Sequence, residues 1–149
     1  MIELKPAPVI RFLDKFIFQK RTAALVSQKS FYTPKGEKSA RDIIKGIKKN
    51  KSVFLLVDQK DSAGEQINLF GKNVKTQIGF LKIARKYNMP IIPMQNKRLK
   101  NDKFEITFHN PLYNKNTSKT DREMMLEIHK IIEEWIKNNP TQWFWQHNR

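Results

Sequence analysis

The stretch from Thr120 to Asn138 constrains the fold more than any other part of the chain. Thr120 and Glu123 have the spacing of a capping box, which marks the start of a helix. Beyond them, apolar residues recur at helical spacing and form a broad stripe: Met124, Met125, Ile128, Ile131, Ile132, Trp135 and Ile136. A helix with so wide an apolar stripe is stable only against an apolar surface, which the rest of the chain has to supply.

The earlier segments alternate between helix and strand patterns. The continuously apolar run from Val53 to Val57 is typical of a strand covered on both faces, and a polar loop follows it as far as Lys75. The alternation predicts an α/β fold with a mostly parallel sheet and flanking helices. Helices are predicted at 8–17, 39–50 with Ser39 as N-cap, 76–87 and 120–138, and strands at 23–27, 53–57, 91–94 and 104–108.

Composition limits the classes of function. The 149 residues suit one domain, and the lack of cysteine together with only three histidines predicts no disulfide and no metal site. A formal charge of +15 favours polyanionic partners, either nucleic acid or an anionic membrane, unless it reflects a lysine-rich background. No strand interleaves aromatic and basic residues as RNA-binding sheets do, so nucleic acid is the less favoured partner. No apolar run approaches the length of a membrane span, and the first residues do not form a secretory signal.

Two segments near the predicted central strand are candidate binding elements. Asp58 and Gln59 directly follow that strand, at the end of a sheet where ligands gather in α/β folds. Asp58 is either functional or an acceptor of hydrogen bonds within its loop. The segment 71–76 precedes a predicted helix, so its amides and lysines favour an anion, unless Thr76 is simply the N-cap.

The histidines offer little catalytic chemistry by sequence alone. His129 and Glu134 have a His-x-x-x-x-Glu spacing, but five residues along a helix leave two side chains about 140° apart. We therefore interpret His129 as a partly exposed helical residue rather than a base. His109 is interpreted as a residue at a strand end or in a loop.

The last fifteen residues concentrate aromatic side chains. All three tryptophans lie between Trp135 and Arg149, with Phe144 and His147 among them. Such a cluster either packs a helix end onto a core or lies at a membrane–water boundary.

Taken in order, several segments resemble the lipid A biosynthesis acyltransferases of Gram-negative bacteria, which include lauroyl and myristoyl transferases. They are ARDIIK at 40–45, LVDQ at 56–59, LFG at 69–71 with Thr76, PIIP at 90–93, HNPL at 109–112 and PTQWFWQHNR at 140–149. The resemblance implies a glycerolipid-acyltransferase-like fold, incomplete in this chain. It also implies transfer of a fatty acyl group from acyl carrier protein to a lipid A precursor, without a cofactor.

The resemblance implies roles for individual residues and for the chain as a whole. The family's base is a histidine in a His-x-x-x-x-Glu or Asp motif that, with a membrane anchor, precedes the region matched here. Residues 1–149 therefore resemble the C-terminal portion of one domain, truncated or split and inactive alone, with Asp58 in a supporting catalytic role. The residues implied in substrate binding are Arg21, Arg41, Gln59, Phe70, Gly71, Thr76, Trp145, His147 and Arg149.

The implied partners follow from the same resemblance. They are a lipid A precursor in the membrane, acyl carrier protein and, for a split enzyme, an N-terminal half encoded upstream. The implied location is peripheral, on the cytoplasmic face of the bacterial inner membrane. Two alternatives stay open: a catalytically dead lipid-binding remnant, and a basic nucleic-acid-binding domain.

Overall fold

The computed structural model describes residues 37–113 and 118–143, together with positions 13, 15–17, 19, 20 and 23, which are helical. The chain divides into two units, Met1–Asn50 and Lys51–Arg149. In the first, helix α1 spans Glu37–Lys48, so Ser39 lies inside the helix rather than at its N-cap. Ala23 is helical where a strand was predicted to begin.

In the second unit, a β-hairpin occupies the segment that was predicted to be a polar loop. Strand β1 spans Lys60–Leu69 and pairs antiparallel with β2, Lys72–Thr76. Ile67 lies opposite Val74 in the register, and both side chains are buried. The loop prediction was wrong because only a few apolar residues of this hairpin face the core, too few to dominate a polar sequence.

The helices of this unit follow the sequence patterns. Helix α2 spans Gly79–Lys86, shorter than predicted, and α3 spans Asp121–Asn138. The predicted capping box of α3 is confirmed: the Thr120 hydroxyl accepts from the Glu123 amide, and the Thr120 amide donates to the Glu123 carboxylate. These bonds to Thr120, the backbone amide first, lower the pKa of the exposed Glu123 carboxyl.

The core lies between the hairpin and the two helices. Its α3 residues recur at helical spacing, as the apolar stripe predicted, and they pack against α2 and the inner face of the hairpin. Arg85 of α2 donates two hydrogen bonds to the Asp121 carboxylate at the start of α3. The buried cluster comprises Ile67, Ile78, Phe80, Leu81, Met124, Met125, Ile128, Ile132 and Ile136.

The remaining strands form small antiparallel sheets. Strand β3, Pro90–Ile91, pairs with β6, Leu112–Tyr113, and β4, Met94–Arg98, pairs with β5, Phe104–Phe108. A short 3-10 helix, Pro140–Gln142, follows α3. The described strands thus form three two-stranded antiparallel sheets.

The prediction of a mostly parallel sheet was therefore wrong, although helices and strands are mixed as expected. Strands that are close in sequence pair here through short turns, and a two-stranded hairpin is antiparallel by geometry. The acyltransferase-like arrangement of strands implied by the resemblance is not seen in the described residues.

The run from Val53 to Val57 is not a strand in the structure. Phe54 and Leu56 are 74% and 76% exposed, and Val57 packs against the core. A buried central strand needs neighbours on both sides to take its backbone hydrogen bonds, and the described residues offer it none.

Within the described part of the chain, no helix is long and apolar enough to cross a bilayer. The same residues contain no group of acidic and histidine side chains that could hold a metal ion.

Candidate functional site

The start of the β1–β2 hairpin brings together three of the predicted site residues. Lys60 pairs with Thr76 in the register, and Asp58 and Gln59 lead directly into Lys60. Gln59 is exposed and Asp58 is half-buried, whereas Thr76 is fully buried. The Asp58 carboxylate and the Gln59 amide therefore lie at the open end, or mouth, of the hairpin, directly before the strand position that pairs with Thr76.

A bulge in β1 closes over Thr76. Thr76 is the register partner of both Lys60 and Glu65, so the residues between these two have no register partner of their own on β2. A Cβ atom on Gly64 would lie 2.5 Å from the carbonyl carbon and oxygen of Thr76, so only glycine fits there. On the outside of the bulge, the Lys75 ammonium donates to the Ser62 carbonyl.

His129 of α3 is 1% exposed, so the interpretation of a partly exposed histidine was wrong. Its Nδ1 lies 2.7 Å from the Asn68 carbonyl oxygen, and its Nε2 lies 3.4 Å from the Thr76 hydroxyl. Because a carbonyl only accepts, Nδ1 carries a proton. The single proton of the Thr76 hydroxyl has two acceptors in reach, His129 Nε2 and the Val74 carbonyl oxygen, each 3.4 Å from the hydroxyl oxygen. Glu134 is exposed, away from His129, as the helical spacing predicted.

Buried in this way, His129 ties α3 to both strands of the hairpin. Its Nε2 faces Thr76, which has no exposed surface, so the hydroxyl of a substrate does not reach this nitrogen. Its chemistry in this structure is that of a positioning residue beneath Thr76.

The turn of the hairpin holds two further predicted site residues, Phe70 and Gly71. Both have positive φ, 51° and 76°, which fits a tight turn between antiparallel strands. The Phe70 amide donates to Glu133 Oε1 at 2.6 Å, and the Lys137 ammonium lies 5.8 Å from the Phe70 ring centre. One face of α3 thus holds this turn, although a phenylalanine disfavours its backbone conformation.

The predicted site residues of the hairpin lie at its two opposite ends. Thr76 lies four residues along β2 from Lys72, about 13 Å at the usual rise of a strand. Asp58, Gln59 and Thr76 therefore form one candidate site at the mouth, and Phe70 and Gly71 lie at the far end.

The segment 71–76, predicted as an anion site, does not directly precede a helix. Gly71 lies in the turn, the following residues form β2, and α2 begins only at Gly79 with Ile78 at its N-cap. The alternative of Thr76 as N-cap was wrong, because Ile78 is the N-cap of α2 and Thr76 is a buried residue of β2.

Gln142, in the aromatic C-terminal segment 135–149, binds the backbone of β4 in the β4–β5 hairpin. Its side-chain oxygen accepts from the Arg98 amide at 2.7 Å, and its side-chain nitrogen donates to the Arg98 carbonyl at 3.0 Å. A side-chain amide here occupies the place of a neighbouring strand. Beside it lies an open cleft of about 370 Å³, lined by Asn96, Arg98, Phe104, Thr141 and Gln142.

The second described histidine is also held by packing. The His109 ring lies against Trp135 with centroids 5.0 Å apart and ring planes tilted by 33°, and its Nε2 is buried without a hydrogen-bond partner. Trp143 packs against the core, in agreement with the core-packing interpretation of the aromatic tail for this residue.

The other predicted site residues belong either to the first unit or to segments outside the described residues. Arg41 is exposed on α1, in the other unit of the chain. Arg21, Trp145, His147 and Arg149 lie outside the described residues. Sequence reasoning missed Gly64, Glu133 and Gln142; only the isolated glycine in a polar stretch, which is typical of a bulge, offered a signal.

Comparison with known families identifies the chain. A profile of the bacterial lipid A biosynthesis acyltransferases matches residues 5–149. The match covers nearly the whole chain, so the protein belongs to this family of acyltransferases of lipid A biosynthesis. Comparison with curated proteins finds no match.

Proposed function

We propose that this chain provides part of the substrate-binding surface of an enzyme that transfers a fatty acyl group from acyl carrier protein to a lipid A precursor. The observation that carries the proposal is the family match over residues 5–149. The arrangement of Asp58 and Gln59 at the mouth of the hairpin, next to the buried Thr76, supports it.

The reaction requires a base. The acceptor hydroxyl attacks the thioester carbonyl, an ester C–O bond forms and the C–S bond breaks. The hydroxyl proton passes to the base and then to the thiolate of the carrier. Such a base contributes on the order of 10² to 10⁴ in rate.

Neither described histidine presents its Nε2 to solvent. His129 is buried against Thr76, and the half-buried His109 lies against Trp135 with its Nε2 buried. We therefore propose that the chain is inactive alone and that a complementing polypeptide with a His-x-x-x-x-Glu or Asp segment supplies the base. In the complex, Asp58 orients or balances the charge of that histidine.

Acyl transfer from acyl carrier protein to a lipid A precursor tests the proposal. The chain alone should give no turnover, and addition of the complementing polypeptide should restore it. Asp58→Asn should then abolish turnover. Asp61→Asn is the matched control, since it removes the same charge in the same segment but retains the acceptor for the Ala63 amide.

Two results would contradict the proposal. Turnover by the chain alone would show that it contains its own base, and His129→Ala and His147→Ala would then identify which histidine acts. Equal activity of the Asp58 and Asp61 variants would remove the role given to Asp58.

A lipid-binding chain without catalysis is the second candidate, favoured by the burial of Nε2 in both described histidines. It is distinguished by binding to vesicles that contain the lipid A precursor when no complementing polypeptide restores turnover. In either case the charge of +15 favours a peripheral position on an anionic membrane surface, which we propose to be the cytoplasmic face of the inner membrane.

A further inference from the structure

The outer edge of β5 carries backbone groups that no described strand pairs. The Leu99 amide donates to the Lys103 carbonyl, and the His109 amide donates to the Pro93 carbonyl. Hydrogen-bonded pairs alternate along an antiparallel ladder, so β4 takes the backbone groups of alternate β5 residues only. The N–H and C=O groups of the others point away from β4: they belong to Phe104, Ile106 and Phe108.

The opposite edge of the same hairpin bears out this geometry. Arg98 lies opposite Phe104 in the register, so its backbone groups also point outward. There they meet the side-chain amide of Gln142, which satisfies both of them. The outer edge of β5 has no such clamp among the described residues.

The side chains along this edge are apolar and open to solvent. Phe104, Ile106 and Phe108 are 58%, 56% and 62% exposed, and alternation puts them on one face of the strand. An edge strand of this kind favours pairing with another strand. Within β5 no charge lies on this face, since Lys103 and Glu105 lie on the other one; Arg98, which shares the face with Phe104, belongs to β4.

The unpaired backbone decides what kind of surface covers the edge. A lipid bilayer would take up the aromatic rings but leave the outward N–H and C=O groups without partners, at a large cost in free energy. A further β-strand satisfies the backbone groups and covers the side chains together.

We propose that β5 pairs antiparallel with β5 of a second copy of this chain, around a two-fold axis at Ile106. The segment from Phe104 to Phe108 is self-complementary in this register. Phe104 lies opposite Phe108 of the second copy, Ile106 opposite Ile106, and Glu105 opposite Thr107. Aromatic and branched pairs stabilise neighbouring strands, no like charges are directly opposed, and about six backbone hydrogen bonds form.

The charge of the chain gives this association a distinctive salt dependence. Two copies of formal charge +15 repel each other at long range, and salt screens that repulsion. Self-association should therefore strengthen as ionic strength rises. Binding to anionic vesicles or to nucleic acid changes in the opposite direction. The proposal is independent of acyl transfer.

Sedimentation of the full chain over a concentration series, at low and high salt, tests the dimer. Ile106→Lys puts two ammonium groups opposite each other and should weaken self-association by roughly tenfold or more. Thr107→Lys is the matched control: it adds the same charge to the same strand but faces Glu105 of the second copy, so the dimer should persist. Far-UV circular dichroism confirms that both variants keep the fold.

Hydrogen exchange gives a second readout that does not depend on a variant. In the dimer the amides of Phe104, Ile106 and Phe108 should be protected, and on dilution they should exchange freely. The amides of Glu105 and Thr107, which face β4, should stay protected in both states.

Three results would overturn the proposal. The first is a chain that stays monomeric at every concentration and salt, with these three amides unprotected. The second is a dimer that Ile106→Lys leaves intact. The third is a monomer that pellets with phosphatidylglycerol vesicles and loses this binding in Ile106→Lys, which would assign the edge to a membrane.

Discussion

At the residue scale, the turn residue Phe70 has a backbone conformation that its side chain disfavours. A positive φ of 51° costs a residue with a Cβ atom about 1 kcal/mol. Phe70→Asn should therefore leave the free energy of unfolding unchanged or raise it by up to about 1 kcal/mol, since asparagine tolerates this region. If the ring contacts the acyl chain of a substrate, the same variant should bind vesicles containing a lipid A precursor more weakly.

The conservative variant separates these two effects. Phe70→Leu retains an apolar side chain and the same backbone strain, so it should keep lipid binding without gaining stability. Urea unfolding and vesicle sedimentation measure the two quantities. Unchanged lipid binding in Phe70→Asn would show that the ring serves the turn alone.

Gly64 allows a sharper residue-scale test of the bulge over Thr76. A methyl group in Gly64→Ala would meet the Thr76 backbone at 2.5 Å, and backbone cannot move aside cheaply. We expect a loss of about 2 to 3 kcal/mol in the free energy of unfolding. Gly71→Ala is the control, because its Cβ would have open space and would pay only for a positive φ of 76°. Equal losses in the two variants would contradict the close contact seen at Gly64.

At the element scale, the capping box makes the start of α3 sensitive to pH. Bonds from Thr120 lower the pKa of Glu123 in the folded chain below the ordinary value of 4.5. A lowered pKa means that the charged form stabilises the fold above the unfolded pKa and that this contribution is lost as pH falls through the folded pKa. Glu123→Gln should thus be less stable than the parent near neutral pH, and the difference should shrink in acid.

Thermal unfolding at a series of pH values measures this difference. Thr120→Ala, which removes the hydroxyl that caps the helix, should cost about 1 kcal/mol. A stability difference between parent and Glu123→Gln that stays constant from neutral pH into acid would exclude the carboxylate as its source.

The contact between the 3-10 helix and β4 also belongs to the scale of elements. Gln142→Ala leaves the Arg98 amide and carbonyl without the partners they have in the structure, at an expected cost of about 1 to 2 kcal/mol. Hydrogen exchange at the Arg98 amide should accelerate, because that amide is not bonded to β5. Thr141→Ala, next to it and exposed, should leave both measurements unchanged.

At the scale of the whole molecule, the buried apolar side chains determine stability, whereas the exposed ones affect solubility. Ile67 is fully buried in the core of the second unit, so Ile67→Ala should cost about 3 kcal/mol in the free energy of unfolding. Phe54→Ser removes a larger side chain but one that is 74% exposed, and it should change stability by less than about 0.5 kcal/mol while raising solubility. A large loss in Phe54→Ser would show that its surroundings differ from those described.

The sequence by itself determined the local features of this protein. The capping box and apolar stripe of α3 were predictable because both depend on residues a few positions apart. The family was predictable from the six segments, because the order of motifs along a chain is a property of the sequence. The family match agrees with this prediction.

Only the tertiary structure decided how these elements meet. The contact of His129 with Thr76 and the contact of Gln142 with Arg98 each join residues more than forty positions apart, and no local pattern encodes such contacts. The bulge at Thr76 depends in turn on the pairing of β1 with β2. The direction of the strands was decided in the same way. An apolar run indicates a strand that needs neighbouring strands. Whether these neighbours are parallel or antiparallel depends on which of them come within hydrogen-bonding distance.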